Sequence, residues 1–88
     1  MAKISMDNLE KETKNRPSVQ DDVAASYYVY KIDDVPYFQI DTYGRGTRKF
    51  QAKCSQTFQI DRKNAIPLIS LMMKELNITI DDLIRAER

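Results

Sequence analysis

Two stretches of the chain alternate between apolar and polar residues. In residues 37–43, YFQIDTY, Phe38, Ile40 and Thr42 share one parity, while Tyr37, Gln39, Asp41 and Tyr43 share the other. This is the period-two pattern of a strand buried on one face. Residues 48–60, RKFQAKCSQTFQI, place Phe50, Ala52, Cys54, Phe58 and Ile60 on one parity and Lys49, Gln51, Lys53, Ser55, Thr57 and Gln59 on the other. That run is long for one strand, and Gln56 sits on the apolar parity, so a bulge or bend is expected between residues 52 and 56. Upstream, residues 26–33, SYYVYKID, are dense in aromatic and β-branched residues and read as a further strand. Asp33-Asp34-Val35-Pro36 and Gly44-Arg45-Gly46 supply the turns between them. The pattern predicts an antiparallel sheet with one greasy face and one polar face.

After residue 60 the period becomes helical. Either Asp61 or Asn64 can cap the helix, and capping by Asn64 would place Pro67 in the first turn, where its missing N–H costs nothing. Ile66, Ile69, Met73 and Leu76 form the stripe expected to lie on the sheet. Asn77 is a left-handed stop, and Thr79-Ile80-Asp81-Asp82 resembles a capping box that opens a short second helix reaching to about Glu87. Leu68, Leu71 and Met72 exceed what one sheet face requires. They predict a homodimer with Leu68 and Met72 at its interface, the alternative cover being Leu83 and Ile84 of the second helix. The fold class expected is α+β: a β-meander of three or four strands, packed on one face by a C-terminal helix, with a short second helix. Residues 25–88 form this single domain. Residues 1–24 mix charges of both signs and read as a flexible N-terminal arm.

Composition narrows the function classes. The chain has 88 residues, enough for one domain with a modest core, and its charged fraction of 31% is above the usual range. Formal net charge is +1, so local charge matters more than the total. With one cysteine and no histidine, the chain can form no internal disulfide, no thiolate–imidazole zinc site and no Cys–His catalytic pair. Asp33, Asp34, Asp41 and Asp61 fall mostly in turns and at strand ends, where aspartate is expected without any metal. No cofactor, no metal site and no enzymatic activity are expected. No apolar run reaches the length of a membrane span or a signal core, which points to a cytoplasmic protein.

The chemistry is concentrated between Gly44 and Lys53, which hold four cations and no acid. Cations that neutralise phosphates, beside rings that stack on bases, are what a single-strand binding surface requires. Lys31, Arg45, Arg48, Lys49 and Lys53 are the candidate phosphate ligands, with Tyr37 and Tyr43 as stacking candidates. The plainer alternative is an ordinary solvated sheet face, which also carries lysine, glutamine and tyrosine.

The order of these parts resembles the positive-cofactor-four type of transcriptional coactivator. Phe38, Ile40 and Asp41 lie on one strand, a basic turn follows, Lys49 and Lys53 lie on the next, and the strand 57–60 runs directly into an apolar helix. The resemblance spans about residues 27–76. It implies a strongly bent sheet, dimerisation through the helices and binding of single-stranded DNA by basic and aromatic sheet residues. Where that family usually has glycine beside the lysine before its last strand, this chain has Cys54-Ser55. The alternative function is a small protein-interaction module, such as a phage-type inhibitor or accessory subunit, gripping a protein partner.

Overall fold

A computed structural model describes residues 1–44 and 54–87. Among these, four strands form one sheet in the order β1-β4-β3-β2. They are β1 (Ala2–Lys3), β2 (Ala25–Ile32), β3 (Val35–Tyr43) and β4 (Cys54–Asp61). Helices α1 (Arg62–Glu75) and α2 (Ile80–Arg85) follow. The architecture is the expected α+β one, with α1 packed on β3 and β4.

The β2–β3 hairpin closes in two residues. Asp33 and Asp34 have φ of 51° and 64°, the left-handed pair of a type I′ turn, and Ile32 pairs with Val35. Counting outward from that closing pair puts Lys31 opposite Pro36, in a pair that exchanges no hydrogen bonds. The missing N–H of Pro36 therefore falls on the side of β4, whose pairing begins only at Tyr37↔Asp61, and proline is tolerated. β3 and β4 run in register from that pair to Thr42↔Gln56, after which Tyr43 pairs with Cys54. Ser55 is the extra residue of a bulge inside the expected interval.

That one-residue slip has a consequence for Cys54. Its parity predicted the apolar face, but beyond the bulge it shares a face with Tyr43 and Thr57, and its Sγ lies 3.2 Å from Thr57 Oγ1.

Asp61, not Asn64, caps α1: its side chain accepts from the backbone N–H of Asn64 at 3.0 Å. Asn64 also donates from Nδ2 to Asp61 Oδ1 at 2.7 Å, and its Oδ1 accepts the N–H of Met6 at 2.8 Å. These bonds hold the earlier start although it leaves Pro67 inside the helix. Pro67 removes the bond to the Lys63 carbonyl, but both residues are exposed, so water can satisfy that oxygen. The earlier cap also sets the helix rotation. Ala65, Leu68, Ile69 and Met72, at the i, i+3, i+4, i+7 spacing, face the sheet; of the expected stripe Ile69 is among them, while Ile66, Met73 and Leu76 are not. They roof a cavity of about 350 Å³, completed by Ile4 and by Phe38, Ile40, Phe58 and Ile60.

The N-terminal segment, expected as a free arm, supplies the fourth strand. β1 pairs in parallel with β4 through Ala2↔Phe58 and Lys3↔Gln59, and Ile4 N–H donates to the Gln59 carbonyl at 2.8 Å. A single 3-10 turn at Met6–Asn8 follows. Lys3 reaches Asp61 at 3.4 Å, and Lys11 reaches Glu75 at 3.0 Å. From Asp7 to Val23 every residue is exposed.

Both helix caps titrate. Asp61 is held below its ordinary value of 3.8, first by the Asn64 side chain, then by the Asn64 N–H and by Lys3. The Thr79–Asp82 capping box forms in both directions, at 2.9 and 3.1 Å, and the Thr79 N–H and then its hydroxyl lower Asp82 likewise. A carboxylate whose folded value is depressed stabilises the fold above its unfolded value, and that contribution disappears as pH falls through the folded value. Urea midpoints should therefore be flat above about pH 5 and fall progressively below 3.8. Asp61→Asn, which still caps but does not ionise, should flatten that fall. An unchanged acid limb in the variant would mean that the cap does not contribute to it.

Candidate nucleic-acid interface

The hairpin register decides which side chains share the sheet face opposite α1. β2 offers Ser26, Tyr28 and Tyr30, β3 offers Tyr37, Gln39, Asp41 and Tyr43, and β4 offers Thr57 and Gln59. Their polar atoms form a chain across three strands. Gln59 Nε2 donates to Tyr30 Oη at 2.7 Å, and Tyr30 Oη donates through a short bond to Gln39 Oε1. Gln39 Nε2 and Thr57 Oγ1 each donate to Asp41 Oδ1 at 2.9 Å. Because the one proton of Thr57 goes to Asp41, the Cys54 thiol is the donor in its own contacts, to Thr57 Oγ1 or to the Gln56 carbonyl, each at 3.2 Å. Such a chain orients Tyr30, Gln39, Asp41, Thr57 and Gln59 against one another.

Three tyrosines of this face meet solvent. Tyr30 and Tyr37 stack on each other with centroids 6.1 Å apart, and both are half-buried. Tyr28 is exposed, and its hydroxyl is raised above the ordinary value, chiefly by its hydrogen bond to Tyr43 and the proximity of that phenol, then by desolvation and Asp41. Tyr43 differs: at 8% exposure it is the buried hydrophobic residue among the described ones, its Oη donating to Ser26 Oγ at 3.3 Å. It cannot offer a ring to a base.

The other expected site residues are distributed differently. Lys31 pairs with Pro36 and shares the face of Tyr27 and Val29, beneath the helix side and not beside the tyrosines. It lies at the end of the sheet that carries the Asp33–Asp34 turn, as Tyr37 does. Tyr43 is six residues further along β3, about 20 Å away at strand spacing. Leu68 and Met72, expected at a dimer interface, line the cavity between α1 and the sheet. Arg45, Arg48, Lys49 and Lys53 lie outside the described residues.

Tyr28, Tyr30 and Gln39 were not singled out from the sequence, and Asp41 was not assigned to this face as a site residue. The signal was present, because a two-residue turn at Asp33-Asp34 dictates every pair on β2 and β3. It was hidden by Tyr27-Tyr28, adjacent aromatics that break the visible alternation.

Among the described residues no group of three or more Cys, Asp or Glu side chains could hold a metal ion, and no helix is long and apolar enough to cross a membrane. Comparison of the chain with protein families, with curated proteins and with solved structures finds no match.

Proposed function

We propose that this chain is a non-enzymatic binding domain that takes single-stranded nucleic acid across the tyrosine-bearing face of its sheet. One observation carries the reading: Tyr28, Tyr30 and Tyr37 stand on one open face with amide and hydroxyl groups between them. In the sequence, β3 is followed between Gly44 and Lys53 by four cations and no acid. Rings that stack are indifferent to sequence, and cations on phosphates supply affinity that salt removes. The one carboxylate in the middle of the face, Asp41, is occupied by Gln39 and Thr57. A cytoplasmic site of action goes with this reading.

Anisotropy titrations with labelled single- and double-stranded oligonucleotides test it. Binding should favour the single strand, with the logarithm of affinity falling linearly in log salt by about 0.7 per phosphate contacted. Reversing charge at both Arg48 and Lys49 should lower the slope by roughly 1.4. Tyr28→Ala should weaken binding by about 1–3 kcal/mol without altering the slope. Absence of salt-sensitive binding would remove the reading.

A second reading, a protein-interaction module, is favoured by the opposite side of the sheet. There Tyr27 and Val29 are largely exposed, which suits an apolar partner. Such a contact barely responds to salt, so the same titrations separate the two.

A further inference from the structure

α1 covers β4 and the adjoining half of β3 but stops short of β2. Tyr27 and Val29 are 62% and 67% exposed, and the Tyr27 and Phe38 rings stack with centroids 5.4 Å apart. The result is a flat apolar platform, continuous through Phe38 with the cavity beneath α1.

α2 is the complementary case. It has six residues, and its backbone lies apart from every strand and from the other helices among the described residues. Ile80, Leu83 and Ile84, at the i, i+3, i+4 spacing of one face, stand in solvent, the first and last 68% and 64% exposed. So short a helix has no independent stability in water, however well capped. Its direction is set by a Schellman turn: Asn77 has φ 54°, and the Ile78 N–H donates to the Met73 carbonyl at 2.9 Å. That turn holds α2 off its own sheet.

Charge is complementary. Lys31 shares the face of Tyr27 and Val29, while in the sequence from Ile80 onward the three acids Asp81, Asp82 and Glu87 stand against the two cations Arg85 and Arg88.

We propose that a second copy of this chain closes the face. Across a twofold axis, the Ile80–Leu83–Ile84 stripe of each protomer packs on the partner's Tyr27, Val29 and Phe38. An isologous contact of this kind covers both unpartnered surfaces at once, whereas a different protein would have to supply both a helix and a sheet face. The tyrosine face on the far side stays open, so this inference holds or fails apart from nucleic-acid binding.

Sedimentation of the full chain should give twice the 10.3 kDa monomer mass. Leu83→Glu and Val29→Glu should each weaken dimerisation about a hundredfold or more, because the twofold axis places each substitution in the interface twice. Mixing the two variants should restore dimers, since a mixed pair keeps one of the two contacts intact. Should either variant fail to fold, Leu83→Cys and Val29→Cys chains carrying different tags, both with Cys54→Ser, should form a mixed disulfide on oxidation. A monomeric parent would overturn the proposal. So would variants as dimeric as the parent, which would place the contact elsewhere, for instance on the β2 edge. Failure of both the mixing and the cross-link would likewise overturn the exchange of α2.

Discussion

Tyr43→Ala is expected to lower the unfolding free energy by about 3–5 kcal/mol. The apolar residues of the sheet and helices remain half-exposed in the single chain, so most truncations there remove surface that was never fully out of water. Tyr43 is the exception at 8% exposure. It sits where the Ser55 bulge turns β4, with its own N–H bonded to the Ala24 carbonyl at 3.0 Å. Its removal leaves a void at a junction of three segments, which the backbone hydrogen bonds prevent from collapsing. Tyr43→Phe should cost only about 0.5–1.5 kcal/mol, because the bond to Ser26 is long at 3.3 Å. Urea melts with unchanged m-values would measure both. A loss below about 1 kcal/mol for the alanine variant would show that the ring carries no packing role.

Removal of residues 1–9 is expected to cost at least about 2 kcal/mol. Ile4 lines the cavity between α1 and β4, and truncating a buried isoleucine costs about 2–5 kcal/mol, the lower end applying to a half-buried one. The deletion also takes away the β1 pairing, the Met6–Asn64 bond at 2.8 Å and the Lys3–Asp61 contact. It would leave the edge of β4 bare, so the truncated chain should self-associate through that edge as well as melt earlier. A truncated chain with the parent's melting midpoint would show that the N-terminal strand merely rests on the sheet. Ile4→Ala in the full chain separates the side chain from the strand, and should reproduce only part of the loss.

Much of the layout follows from local pattern. The alternation in residues 37–43 correctly separated Phe38, Ile40 and Thr42 from Tyr37, Gln39, Asp41 and Tyr43, because a strand has no freedom in which face each side chain takes. Asn77 and the Thr79–Asp82 box were readable because capping involves only residues three or four apart. The candidate site was less legible. Of the residues first assigned to it, Tyr37 lies on the open face, Tyr43 is buried and Lys31 is on the other side of the sheet.

These differences have one physical origin, the dependence of distant residues on a single local choice. Alternation, turn chemistry and capping are short-range, and from them the sequence determined three strands, two helices, the interval of the bulge and the composition of each face of β3. Register and rotation are not short-range. One extra residue at Ser55 turned Cys54 to the polar face. Capping at Asp61 in place of Asn64 turned Leu68 and Met72 toward the sheet, and that choice was settled by Asn64 bonding Met6, 58 positions away. The docking of Ala2–Lys3 on β4 likewise rests on a partner at the far end of the chain, where no local pattern can announce it. Only the tertiary structure decided these points, because each depends on which long-range hydrogen bonds and apolar contacts close together.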